Sequence, residues 1–321
     1  NFTSAKLKRR MEEIESSINR YLTALDAADR QEPTASEPSA VRLEEKIAKL
    51  KTQMKELQAI EIQLNESPDK QVSLTDPDSR SMMTRGTGIV GYNVQTAVDT
   101  QHHLIVAHEV TNVGSDRDQL SSMAKQAREA MASDTLSVVA DRGYFKSEQI
   151  LACHDAGITA YVPKPMTSGA KADGRFNNDA FLYDAGKNEY ICPAGESLIW
   201  HYSYVEKGLK LHRYWSSKCQ GCALKSQCTP STERRVRRWE HEDVLEEMQL
   251  RLSKAPEMMR VRKRTVEHPF GTLKQWMGAT HFLTRKLNGV RAEMSLNVLA
   301  YNLKRVMKIL GANGLMKALS A

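Results

Sequence analysis

The sequence predicts an α/β domain with a mixed sheet, entered through a helical hairpin. Three observations carry this. Two stretches within residues 3–64 repeat apolar side chains at helical spacing. Residues 90–162 alternate short strand-like runs with helical ones, the pattern that packs helices on a sheet. From about residue 241 the chain reads as helix again and becomes strongly basic.

The elements follow in order. Residues 3–29 read as a helix with Leu7, Met11, Ile14, Ile18, Tyr21 and Leu25 three or four apart. Residues 30–41 are polar and proline-containing, which predicts a loop. Residues 42–64 form a second helix with Leu43, Ile47, Leu50, Met54, Leu57 and Leu64 on one stripe. Two helices packed on each other account for this pattern, and dimerisation is the alternative. After Pro68 the period changes: Val90–Val98 alternates as a strand does, Asp99–His102 is a turn, and His103–Val110 alternates again, giving an antiparallel hairpin. Asp116 or Asp118 caps a helix running to about Met131. Leu136–Ala140 is a buried strand ending at Asp141, Ser147–Ala156 is helical, and Ile158–Val162 is a further strand. Residues 163–190 are loop-rich, and a long amphipathic helix over 289–310 carries Val290, Met294, Val298, Tyr301 and Val306. The resulting parts are 1–70 (helical hairpin), 71–185 (first part of the core), 186–240 (cysteine-bearing insertion) and 241–321 (helical end of the core).

Composition narrows the function. At 40% hydrophobic and 26% charged residues, the 321-residue chain is neither a disordered tail nor a membrane protein, and no apolar run has membrane-spanning length. The net charge of +7 is segregated: residues 231–321 hold 18 Lys/Arg against 9 Asp/Glu, whereas residues 1–230 hold 28 against 30. A concentrated basic third points to a polyanion such as nucleic acid, with a solvated helix surface as the plainer reading. Five cysteines in a chain this long do not make a disulfide scaffold, so a reducing cytoplasm is expected.

Several motifs could carry chemistry. Asp141, in Ala140-Asp141-Arg142-Gly143-Tyr144, sits at the C-terminal end of a buried strand, where ligands of α/β folds gather. It either meets a metal there or caps the next turn. Glu267 follows Arg262, Lys263 and Arg264, with Lys274 seven residues later. Acid with basic flank suits a metal site that also grips phosphates, and ordinary surface pairing is the alternative. Cys219 and Cys222 form a Cys-x2-Cys knuckle, with Cys192 before and Cys228 after it. Four thiolates would close a structural zinc site, as against free, partly buried thiols. Cys153 lies outside the set and packs in a helix. Arg234, Arg235, Arg237 and Arg238, beside Trp239, form a candidate phosphate-gripping strip. Asp76 and Asp78 look like a turn, Asp99 sits at a hairpin tip, and Glu293 lies in the last helix.

Taken together and in this order, the chain resembles the DDE transposases of bacterial insertion sequences. The residues that carry the resemblance are Gly91-Tyr92-Asn93-Val94-Gln95, Ala140–Tyr144, the Cys192-Pro193-Ala194-Gly195 turn with Cys219, Cys222 and Cys228, Val266–Gly271, and Leu299–Arg305. The resemblance implies a ribonuclease-H-like mixed sheet with flanking helices, the N-terminal helical hairpin and a four-cysteine, zinc-ribbon-like insertion. It also implies Mg2+-dependent cleavage at element ends and transfer of the freed 3′-OH to target DNA. Asp141 matches the second catalytic acid and Glu267 the third, each holding one of two Mg2+ ions. Lys274 keeps the family's cation after the Glu, and Lys263 keeps a cation before it. Arg260 stands where the family usually has Tyr. The family's first acid lies on a strand that would precede Asn1, so the expectation is a fragment that binds DNA without cleaving it. Arg234, Arg235, Arg237, Arg238, Arg262, Lys263, Arg264 and Lys274 are the expected DNA contacts. A homo-oligomer on double-stranded DNA, in the bacterial nucleoid and away from membranes, completes the expectation. The competing reading is a decayed or domesticated relative that binds DNA without catalysis.

Overall fold

The computed structural model describes residues 2–29, 37–67, 69–84, 86–165, 169 and 173–320. Pro68, Asn1 and most of the polar linker therefore lie outside the described residues. The chain divides into two compact units, residues 1–95, 108–114 and 271–321, and residues 96–107 and 115–270. Among the described residues no helix is long and apolar enough to cross a membrane.

In the first unit, strand β1 (Phe2–Thr3) leads into helix α1 (Ser4–Asp29), and α2 (Glu37–Glu66) returns along it. Leu7 and Ile14 of α1 bury against Leu57, Ile60 and Leu64 of α2, so the heptad-like stripe of the sequence is the seam between the two helices. The linker expected through residue 41 is shorter, because α2 already starts at Glu37. Strand β2 (Gln71–Val72) pairs antiparallel with β1 and ties the open end of the hairpin.

The strand expected over 90–98 is two strands. β3 (Arg80–Thr84) and β4 (Thr87–Gly91) form a tight hairpin, whose turn places Gly86 at φ +82°. The chain breaks at Tyr92, and β5 (Asn93–Val98) then pairs with β6 (Ile105–Thr111). Asp99 closes the turn between them by accepting bonds from the backbone of Gln101 and His102.

In the second unit, a short 3-10 turn at Asp116–Asp118, capped by Ser115 rather than by either aspartate, precedes α3 (Leu120–Ala130). Next come β7 (Leu136–Val139), α4 (Ser147–Asp155) and β8 (Ile158–Tyr161). β7 and β8 run parallel, which requires the crossover that α4 supplies. The predicted mixed sheet is thus present as separate two-stranded ladders, β5 with β6 and β7 with β8. A five-stranded antiparallel sheet follows in the order β13-β12-β11-β10-β9. Its strands are β9 (Leu182–Asp184), β10 (Glu189–Ile191), β11 (Ser197–Glu206), β12 (Leu209–Trp215) and β13 (Val236–Trp239), with the short α5 (Lys225–Cys228) before the last.

Helices α6 (Glu242–Lys254) and α7 (Met258–Gly271) complete the second unit. Its core joins Ile150, Cys153, Ile158 and Val162 to Trp239, Leu245 and Met248. Cys153 is fully buried, and burial pushes its thiol up to about 11, consistent with the packing role expected of it.

The first unit ends with a π-helical turn over Thr272–Trp276 and helix α8 (Leu287–Leu319), where Val290, Met294, Val298 and Tyr301 are buried. Asp76 and Asp78 are spent on the start of α8. Asp76 Oδ1 accepts from the backbone N–H of Lys286 at 3.2 Å, and Asp78 Oδ2 accepts from Leu287 at 2.9 Å. They cap unsatisfied amides from a position about two hundred residues away in sequence. Glu293 accepts from the backbone of Leu283 and Thr284 and from the Thr284 hydroxyl. These bonds outweigh its desolvation and hold its carboxyl below the usual range.

Candidate active site and cysteine cluster

Asp141 follows the apolar strand β7, at the C-terminal edge of the parallel pair. The turn-capping reading of it holds. Oδ1 accepts from the Gly143 backbone N–H at 2.8 Å and caps the turn Arg142–Tyr144. Oδ2 accepts from Arg262 Nη2 at 2.8 Å. A Cβ at position 143 would stand 2.9 Å from Asp141 Oδ1 and 3.7 Å from Asp116 Oδ2. Glycine therefore lets the carboxylate turn inward, and a second carboxylate flanks the same spot. Burial raises the Tyr144 phenol well above its usual range, Asp116 and Asp141 add to the shift, and Arg262 opposes it. The sequence marks Asp116 only as a helix cap. Its nearness to Asp141 follows from contact between the turns Asp116–Asp118 and Arg142–Tyr144, which no local pattern encodes.

Glu267 lies on α7, exposed and with no side-chain partner among the described residues. Arg262 is five residues earlier on the same helix, about 140° round the axis. Lys263 and Arg264 are exposed. The helix thus presents a guanidinium, not Glu267, to Asp141. Among the described residues no three His, Cys, Asp or Glu side chains stand close enough to hold a metal ion. Lys274 lies outside α7, in the π-helical turn.

The four cysteines converge. Cys192, Cys219, Cys222 and Cys228 all line one small cavity, with Pro193, Leu198 and Arg234. Cys192 sits in a tight turn closed by the Gly195 N–H on the Cys192 carbonyl at 2.8 Å, with Gly195 at φ +80°. Cys219 lies within the 3-10 turn Ser217–Gly221, Cys222 caps its C-terminal end, and Cys228 ends α5. Burial raises the Cys228 thiol, Arg234 opposes that, and the other three cysteines add to it. Donor type fits zinc, while the thiols have not closed to ligand geometry.

The arginine strip is not one surface. It forms β13 and the residues before it, so alternate side chains face opposite ways. Arg238 is 7% exposed. It meets Glu246 through both terminal nitrogens and lies 3.7 Å over the Tyr183 ring. That placement removes it from the expected DNA contacts. Arg234 turns toward Phe181 and bonds Asn178 at 2.8 Å. Arg235 and Arg237 are exposed, paired with Glu233 and Glu206.

A family model described as transposase DDE domain matches residues 59–303 of the 321. No curated protein and no solved structure matches the chain. The chain belongs to the transposase DDE domain family.

Proposed function

We propose that this domain forms two-thirds of the active site of an insertion-sequence transposase, with Asp141 and Glu267 as its acids. The observation that carries the reading is Asp141: a carboxylate at the C-terminal edge of a parallel strand pair, already holding a cation on Oδ2. A hard oxygen ligand of this kind suits Mg2+. Bound Mg2+ would neutralise the attacking and leaving oxygens of a phosphodiester. In the reaction, a water oxygen attacks phosphorus and the 3′ oxygen leaves as a 3′-OH. That hydroxyl then attacks a target phosphodiester and displaces its 3′ oxygen.

The chain's own residues do the holding. Arg262 keeps Asp141 oriented until the guanidinium exchanges onto a phosphate. Lys263 and Arg264, exposed on α7, grip the DNA backbone without reading sequence. Cys192, Cys219, Cys222 and Cys228 would hold Zn2+ in their shared cavity as a structural ion. Asp76, Asp78 and Asp99 are committed to backbone amides, so none of them supplies the family's remaining acid. On this reading the 321-residue chain alone binds DNA without cutting it.

The second reading, DNA binding without catalysis in a decayed relative, is favoured by the Arg262–Asp141 pair and by the wide angle between Arg262 and Glu267. One experiment bears on both: titrate duplex DNA with the purified chain across salt concentrations, with and without Mg2+. Salt-sensitive binding is expected, and Lys263→Ala with Arg264→Ala should lower the log–log salt slope by about two. No duplex binding at low salt would refute both readings. Mg2+-dependent scission abolished by Asp141→Asn would refute the assignment of Asp76, Asp78 and Asp99 and restore one of them as a ligand.

A further inference from the structure

One face of the five-stranded sheet carries aromatic rings and guanidinium groups that neither the acid pair nor the cysteine cavity uses. Cross-strand register places Tyr202, Arg213 and Arg237 in one row over three strands. Residues directly opposite share a face, and so do residues two apart along a strand. The row on one side is Ile199 with Trp215, and on the other Tyr204 with Leu211 and Trp239. Trp239 and Leu211 pack into the core, so the face is buried at that end and open at the other.

At the open end the rings are held stiffly. His201 stacks flat on Trp215 with centroids 3.3 Å apart and a 4° tilt, and its Nε2 meets the Trp215 carbonyl at 3.2 Å. The register shift between Trp200 and Tyr202 brings His201 onto this face. Tyr202 meets the edge of Trp215 at 5.9 Å and remains 46% exposed. Arg235 lies over Trp215 and Arg213 over Tyr204, each at 5.2 Å. Arg213 has no carboxylate partner among the described residues, and its buried Nε has no acceptor. The pairs Arg235–Glu233 and Arg237–Glu206 are solvent-exposed, so they are weak and can exchange onto a phosphate.

We propose that this face is a stacking platform for single-stranded DNA, on which Tyr202 and Tyr204 meet unpaired bases, Trp215 braces Tyr202 from its edge, and Arg213, Arg235 and Arg237 meet the backbone. Tyr202 and Tyr204, with ring centroids 5.9 Å apart and planes tilted by 53°, offer neighbouring bases separate faces to stack on. A duplex cannot use them, because its base faces are already stacked on each other. Stacking plus guanidinium groups is the combination that binds single strands without sequence preference. The inference rests on the DNA reading above and adds which form of DNA this sheet holds: the strand left unpaired beside a break.

The test uses the full chain and two labelled probes, a thymidine strand of about 20 nucleotides, long enough to span a site of this kind, and a duplex of equal length, read by fluorescence anisotropy. Losing a stacked base costs about 5- to 150-fold in affinity. Tyr202→Ala and Arg213→Ala should each weaken the single strand at least about fivefold while leaving the duplex within about twofold. Tyr202→Phe should keep most of the affinity, which separates a stacking role from a folding one, and circular dichroism checks each variant. Thymidine binding should also quench tryptophan emission. Equal loss for strand and duplex would overturn the platform, as would duplex binding with no effect of Tyr202→Ala on the strand. So would an acidic peptide displacing the thymidine strand while the duplex stays bound. Failure to bind either probe would instead sink the DNA reading itself.

Discussion

Replacing Arg238 decides whether the arginine run is a DNA contact or part of the fold. The guanidinium is buried, meets both oxygens of Glu246, approaches the Tyr190 hydroxyl at 3.3 Å and lies over Tyr183. Arg238→Ala removes a desolvated cation–π contact worth about 1–2 kcal/mol. It also removes two methylenes at about 0.8 kcal/mol each. The ion pair adds less than its geometry suggests, about 1 kcal/mol at most, because the Glu246 side chain is half in water and regains hydration. The total is about 3–4 kcal/mol. For a unit of this size that is a fall in Tm of about 6–16 °C, measured by differential scanning calorimetry. Glu246→Ala should cost about as much, around 3 kcal/mol, because it strands a buried cation. A surface strip predicts the reverse pattern. Arg238→Ala would then lower duplex affinity at unchanged Tm, and Glu246→Ala would raise affinity by freeing an arginine. That pair of results would refute the packing argument.

Two further outcomes follow from the same geometry. The protein purified without chelator should carry about one zinc per chain, with Cys192, Cys219, Cys222 and Cys228 slow to alkylate until the metal is removed. Elemental analysis finding no metal, with all four thiols reacting freely, would leave the cavity an ordinary thiol pocket. Glu293, whose folded carboxyl titrates below the ordinary 4.5, contributes stability above that value and loses it as pH falls through the lower folded value. Glu293→Gln should therefore lower Tm at about pH 7, with the gap to the parent closing below about pH 4. A gap unchanged down to about pH 3 would mean that the bonds to Leu283 and Thr284 do not depend on the charge.

What can be read from the sequence, and what cannot, divides by range. The seam of α1 and α2, the strands flanking α4 and the position of Asp141 are legible because each rests on a local period or on a strand ending in an acid. The cysteine set is legible because its spacing is short, apart from Cys192, which β10 and β11 bring back. The β3–β4 hairpin escapes a sequence reading because its apolar side chains are exposed, so no burial period marks it. Arg238 is misplaced by the sequence because four arginines in five residues read as one charge run. A strand turns every second side chain away, and only the register of β13 against β12 says which pair faces in.

The long-range contacts are invisible for a different reason, and they matter most for the chemistry. Asp141 and Arg262 are 121 residues apart, and Asp78 and the backbone of Leu287 are 209 apart. An aspartate in Asp76-Pro77-Asp78 carries the same local signal whether it closes a turn, caps a distant helix or holds a metal. Only the donors it meets distinguish these, and at Asp76 and Asp78 backbone amides fill that role. Asp141 differs: Gly143 occupies one oxygen, and a side chain that can leave occupies the other. An acid whose second oxygen is held by a side chain can exchange that partner, whereas one spent on the fixed amides of a helix start cannot. That difference, rather than position in a motif, is the reason the proposed metal-dependent chemistry is placed on Asp141.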